Sequence, residues 1–349
     1  MGLGKYLPDI MKSAYLKAPF QFEVRDQEMR EIKNDEVLVK IKACGYCGHD
    51  MILSRYAATD WEPFGHEFSG VVEKVGSAVT HLKVGDTIVM ETSTFNPLAE
   101  CSLNGNVDYD LNGPSFMNNT TETKGFAEYT IVPACLCIKF DGISFEEGSF
   151  IEPMGVALDL VTTADIKLNN DVLILGAGPI GLMALQMAKA SGARKIYVAE
   201  FSTAEKKCDL ALKFGADEII YTDKINLEEY SFEKGGVDRV LVTAPPKTIG
   251  TAVKVTNVGG IVAFLGISYG PDAIVSFDSN VVHLKKLQIR GSNAIPALYF
   301  PKCLDLIKAG IVDVKPLISH TFKLDDLPKA LVDFVNDKNN AIKAVMIND

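Results

Sequence analysis

The spacing of apolar and polar positions changes character once along this chain, and the change divides it into two regimes. "EVLVKIKA" (36–43) alternates at period two, the mark of a strand whose successive side chains point to opposite faces. "FSGVVEKVGSAVTHLKVGDTIVMET" (68–92) reads as strand, glycine-containing turn and strand, as in a small barrel. Met11 opens the first strand-like run, and the residues before it read as a short arm or alternative start. From Ser93 to Lys124 the periodicity is lost in a stretch rich in Asn, Thr, Ser, Gly and Pro, which predicts a long surface lobe. "GFAEYTIVP" then returns to strand.

The second regime begins near residue 158. "DVLIL" predicts a short buried strand, "GAGPIG" a turn, "LMALQMAKASG" a helix and "KIYVAE" another strand. "AEKKCDLALKFG" continues as helix, and "ADEIIY", "VDRVLVTAP", "GGIVAFLGI" and "KLQIRGS" as strands. Strands alternating with helices predict an α/β fold with a doubly wound parallel sheet. After Arg290 the expected order is helix ("FPKCLDLIKAG"), loop, helix ("LDDLPKALVDFV") and a last strand ("KAVMI"). The division expected is 158–290 for the parallel-sheet domain, with 1–157 and 291–349 forming the other.

Composition narrows the function. The 349 residues are 47% hydrophobic, enough for two cores, and carry a formal charge of −10. An acidic excess repels nucleic acid and anionic membranes, which need a basic patch. No run approaches a membrane span, and the start lacks the apolar core of a signal peptide. Seven scattered cysteines fit a reducing compartment, so a cytoplasmic location is expected. Cys135 and Cys137 in "VPACLCIKF" are expected on one strand face as small core hydrophobes, and sequons at Asn118 and Asn119 carry little meaning in such a chain.

Gly176, Gly178 and Gly181 stand between a predicted strand and helix, with Pro179 and Ile180 opening the helix. The first glycine permits a tight turn, the second lets backbone approach a pyrophosphate, and the third allows helix and strand to pack closely. Glu200, at the end of the next strand, is placed to accept from both ribose hydroxyls and to repel a 2′-phosphate, which points to NAD. Lys206 and Lys207 nearby are the features that would suit NADP.

"CGYCGHD" (44–50) raises a different question, because Cys-x-x-Cys serves redox centres, structural zinc and catalytic zinc alike. A redox pair is expected at a helix N-terminus in a thioredoxin-like unit, whereas this one follows a barrel-type strand. Cys47, His66, Glu67 and, further on, Glu152 in "FIEPMGVAL" offer thiolate, imidazole and carboxylate, a set suited to tetrahedral zinc.

Taken together, "GYCGHD", "GHEFSGVVEKVG", "VGD", "GFAEY", "IEP", "GAGPIG" and "VKPLISHTF" resemble the zinc-dependent medium-chain dehydrogenases, which include alcohol, sorbitol and threonine dehydrogenases. The resemblance runs from about Met11 to the C-terminus. It implies a GroES-like barrel domain interrupted by a Rossmann domain, a homodimer or homotetramer, and hydride transfer from a small alcohol to NAD. By motif, Cys47 and His66 become zinc ligands, Glu67 a ligand or one that exchanges with water, and Asp50 the carboxylate that orients His66. Glu152 in "EP" is similar to the polyol, threonine and sugar branch, which directs the expected substrate to a polyol, sugar alcohol or sugar acid. His49 stands where Ser or Thr commonly relays protons in the family, and imidazole can do the same. Cys101 alone in the lobe cannot build the four-cysteine structural zinc of many members, so one zinc per chain is expected, with Cys44 a packing residue. Ala294 stands where sorbitol dehydrogenases carry an arginine. Tyr56 and Trp61 are pocket candidates. The rival readings are a threonine- or simple alcohol-type enzyme, a zinc-free NADPH reductase of the same superfamily, and a non-enzymatic NAD-binding protein.

Overall fold

The computed structural model describes residues 10–117, 123–268 and 270–349. Residues 1–9 of the expected N-terminal arm and the two sequons lie outside the described residues, while Ile10 already belongs to the strand Ile10–Lys17.

The parallel sheet has six strands, in the order Glu218–Tyr221, Lys195–Glu200, Asp171–Leu175, Val237–Val242, Thr256–Phe264 and Gln288–Gly291. Asp171–Leu175 is buried at every position, as expected of a strand covered on both faces. It lies at the centre, where the chain first winds one way and then the other. In such sheets the ligand crevice opens beyond the carboxyl ends of the strands at this reversal.

The barrel-forming sheet runs Ile318–Phe322, Lys343–Ile347, Glu36–Gly45, Glu67–Val75, Thr87–Met90 and Cys137–Lys139, with Tyr129–Pro133 paired to the other end of Glu36–Gly45. Ile10–Lys17 and Gln21–Glu28 form an antiparallel pair against it. Its interior is aromatic: Tyr46, Phe64, Phe68, Phe116, Phe126 and Phe322 are all buried. The C-terminal segment supplies two strands here. Ile318–Phe322 lies where the apolar pattern suggested a loop, because the strand is only half-buried and its alternation is weak.

Helix Ile151–Ala164 is the element the pattern did not reveal. Nine of its 14 residues are buried, over more than half of its circumference, and Glu152, Val156, Asp159 and Thr163 share the remaining stripe, so "IEPMGVALDLVTTA" carries only a weak 3.6-residue period. It packs on Pro179–Ala190 of the nucleotide half and on Glu67–Val75 of the barrel half. The expected boundary at 157/158 falls inside it.

Cys135 and Cys137 do not share a strand face. Ala134–Leu136 forms a single 3-10 turn before the strand begins at Cys137, which leaves Cys135 exposed and Cys137 in the core. The lobe is organised by polar contacts. Buried Asp110 accepts from the backbone N–H of Asn96 at 2.6 Å and of Asn112 at 3.1 Å. Phe116 inserts beside Phe68, and the Lys124 ammonium lies 4.3 Å above the Phe116 ring while donating to its carbonyl.

Candidate active site

The "CGHD" segment fixes its own side chains. The strand Glu36–Gly45 ends just before Cys47, which caps the short helix Gly48–Ile52. The Cys47 Sγ accepts from the His49 N–H at 3.4 Å, and Asp50 Oδ2 accepts from the Cys47 N–H at 3.3 Å, a reciprocal cap. So Cys47 does sit at a helix N-terminus, as redox cysteines do. Cys44, however, is wholly buried within the barrel core, and burial pushes its thiol well above the ordinary range.

The neighbouring strand brings the other donors. Gly45 pairs with Glu67, which sets His66 and Glu67 beside Cys47. The turn before them needs Gly65, at φ +95°, because a Cβ there would meet the Phe126 backbone nitrogen at 2.9 Å. One donor atom each from Cys47, His66 and Glu67 lies within 4.8 Å of the others. Among the described residues this is the one group of three or more such side chains placed to hold a metal ion. A half-buried thiol beside a buried imidazole and a buried carboxylate at this separation fits zinc.

The surrounding charges are arranged for it. Asp50, itself buried, lies 3.7 Å from His66 Nδ1. Burial alone would lower the His66 pKa, but Asp50, Glu152 and Glu67 together hold it above the ordinary value. Burial raises the Cys47 thiol strongly, and a bound cation would reverse that by favouring the thiolate. His49 is half-buried, with its ring edge-on to His66 at 6.3 Å between centroids, and burial lowers its pKa.

Two placements refine the expected ligand set. Glu152 lies in the first turn of Ile151–Ala164, outside the 4.8 Å cluster yet close enough to interact electrostatically with His66 and Glu67. Burial raises it to about 7. It lines a small cavity with Val156, Ala294, Ala297, Tyr299 and Phe300. Glu67, meanwhile, accepts a hydrogen bond from Lys343, a fully buried lysine that sequence reading passed over. Burial pulls the ammonium pKa down, but Glu67 and then Cys47 more than offset it, so Lys343 stays charged. Gly45 makes room for this pair, since a Cβ there would lie 2.5 Å from Glu67 Oε2. The available signal was a lysine at the head of the apolar closing run "KAVMI".

Trp61 packs elsewhere: Arg25 stacks over its ring at 4.7 Å and over Tyr15 at 4.9 Å. Tyr56 is exposed on the turn Leu53–Ala57.

At the sheet's carboxyl edge the glycine loop has the geometry its sequence requires. Gly176 has φ +98°, and a Cβ on Gly181 would lie 2.1 Å from the Gly176 carbonyl oxygen. Gly178 caps Pro179–Ala190 with nothing within 4 Å of its would-be Cβ, an open approach to the helix N-terminus. Pro179 and Ile180 form the first turn. Glu200 ends the adjacent strand, accepting from Ala177 N–H at 2.9 Å and from its own neighbour Phe201 N–H at 2.8 Å. That holds a carboxylate at the rim of the loop, where a nucleotide ribose would lie.

Both halves of the chain match families of known proteins. Residues 33–142 match the alcohol dehydrogenase GroES-like domain, and residues 179–309 match the zinc-binding dehydrogenase family. The chain is 31% identical to L-idonate 5-dehydrogenase of Vitis vinifera, over 90% of this chain and 88% of that one. It is 30% identical to sorbitol dehydrogenase of Bombyx mori, over 86% and 88% respectively. An alcohol dehydrogenase from Escherichia coli CFT073, crystallised with NADH, superposes with a TM-score of 0.87 at 26% identity, covering 98% of this chain and 100% of the other.

Proposed function

Because the chain belongs to the zinc-dependent medium-chain dehydrogenases, we propose that it oxidises a secondary alcohol of a polyol, sugar alcohol or sugar acid with NAD. The observation that carries this reading is the Cys47–His66–Glu67 cluster on the barrel side of the chain, whose donor atoms lie within 4.8 Å of one another. Cys47 and His66 would hold the zinc, with Glu67 or Glu152 completing the set. Zinc bound there supplies a Lewis acid that lowers the pKa of a substrate hydroxyl.

The chain's own residues do the rest. Asp50 fixes the orientation of His66, and Lys343 holds the Glu67 carboxylate in place. His49, largely neutral because burial lowers its pKa, takes the hydroxyl proton toward solvent. The helix N-terminus at Gly178 binds the cofactor pyrophosphate, and Glu200 accepts from the adenosine ribose hydroxyls. Holding both reactants in one cleft removes the entropic cost of bringing them together. The relatives support the substrate class, one being named for a sugar acid and another for a sugar alcohol.

The test is a panel of polyols, sugar acids, threonine and simple alcohols, each with NAD and with NADP. Polyols or sugar acids with NAD should give the highest kcat/KM. In Glu200→Ser the preference for NAD should shrink by about 1–3 kcal/mol, the worth of a charge-assisted contact. Wild-type turnover with NADP equal to that with NAD would remove Glu200 from cofactor choice.

A further inference from the structure

The segment 292–299 links the last strand of the nucleotide sheet, Gln288–Gly291, to helix Phe300–Lys308 of the other half. It leaves from the carboxyl edge of the sheet, where Ser292 N–H donates to the Phe264 carbonyl at 2.9 Å. Further on, Ala294, Ala297 and Tyr299 form a wall of the cavity that Glu152 also lines. One segment therefore runs from the carboxyl edge of the sheet to the cavity beside Glu152, the further carboxylate of the proposed ligand set.

Helix Ile151–Ala164 holds both ends of this segment and the strand before it. Ser292 Oγ donates to Asp159 Oδ2 at 2.5 Å. The Tyr299 hydroxyl faces the same carboxylate and Thr162. Arg290 donates to the Thr163 carbonyl at 2.9 Å. Asp159 is the shared point: its carboxylate faces Ser292 at one end of the segment and Tyr299 at the other, two turns along the helix from Glu152. A third tether comes from the lobe, where the Ser93 carbonyl accepts from Ala297 N–H at 3.2 Å. Asp159 touches none of the proposed zinc donors and lines no part of the cavity, so its effect on the site passes through the segment it holds.

We infer that Asp159 is a positioning residue, which sets the spacing between cofactor edge and metal cluster by holding Ser292 and Tyr299. The inference rests on the proposed alcohol oxidation at the same cleft. Hydride transfer is steeply sensitive to donor–acceptor spacing, and a displacement of about 1 Å can cost on the order of 100-fold in rate.

The experiment compares wild type, Asp159→Ala, Asp159→Asn and Ser292→Ala in the full chain, loaded with zinc. Kinetics use NAD and sorbitol, or whichever alcohol of the panel turns over fastest, with its carbinol-deuterated form. Amide hydrogen exchange is followed in parallel on protein with NADH bound. In Asp159→Ala, kcat should fall roughly tenfold with KM for NAD changed less than threefold, while the deuterium effect on kcat rises as the chemical step slows. Exchange should rise in 292–299 and stay unchanged in the strand Asp171–Leu175. Asp159→Asn, which keeps an acceptor, should restore most of the rate, and Ser292→Ala should show a weaker form of the alanine effect. Unchanged exchange in 292–299, or a fall in stability with kcat and the isotope effect intact, overturns the inference. If wild type oxidises no alcohol, the proposed function fails, and the exchange arm still decides whether Asp159 holds the segment.

Discussion

Glu67 and Lys343 are buried side by side at the floor of the cluster, each almost fully removed from water. Deleting one partner of such a pair strands the other charge, which costs roughly 3–5 kcal/mol. Lys343→Met should therefore lose about that much stability in denaturant unfolding of zinc-free protein. The loss should be smaller with zinc bound, because the metal offers Glu67 a second counter-charge. Equal losses in the two states would show that Glu67 does not face the ion. The two cysteines of "CGYC" should separate in the same way. Cys47→Ala should lose zinc and activity, since Cys47 belongs to the cluster, while Cys44→Ala should keep one zinc per chain and most of the rate. Metal analysis reads this directly, and zinc loss in Cys44→Ala would overturn the assignment.

At the scale of elements, the strand Thr87–Met90 delivers Glu91 into the barrel, where it is 6% exposed and burial raises its carboxyl to about 8. The folded state thus keeps the proton that the unfolded chain releases near its ordinary value of 4.5. Between those two values the folded state binds more protons, so Glu91 makes stability fall as pH rises from about 4.5 to 8 and leaves it level above. Glu91→Gln should abolish this slope and raise stability near pH 7 by roughly 2–4 kcal/mol, taking 1.36 kcal/mol per pKa unit. Denaturant unfolding across that pH range checks it, and an unchanged slope would mean that Glu91 is ionised in the fold.

What the sequence revealed of these elements follows from how each is buried. Strands of the parallel sheet were legible as short apolar runs closed by glycine turns, and the glycine loop because each glycine has its own steric reason. Cys47, His66 and Glu67 were legible because they cluster at strand ends with ligand chemistry. Helix Ile151–Ala164 was hidden because its buried face covers more than half of its circumference and its remaining stripe includes apolar Val156, which weakens the amphipathic period and hides the contact of Asp159 with Ser292. Lys343 was hidden because its partner lies 276 residues away, a pairing that only the sheet register creates. Cys135 was misplaced because a single 3-10 turn breaks the alternation that a strand would have continued.

Across the whole molecule, helix Ile151–Ala164 carries Glu152 at one end and packs against both halves. The Cys47–His66–Glu67 cluster belongs to the barrel and the glycine loop to the parallel sheet, so the proposed hydride transfer draws on both halves. No helix among the described residues is long and apolar enough to cross a membrane, and the net charge of −10 leaves small molecules as the natural partners. In the proposed function, zinc held by Cys47 and His66 makes the chain an NAD-dependent polyol oxidiser. The most direct measurement is NADH formation from a polyol or sugar acid by protein as purified, after chelation, and after zinc is returned. Turnover should disappear on chelation and return with about one zinc per chain. Turnover that survives complete removal of zinc, or that runs only as reduction by NADPH, would contradict it.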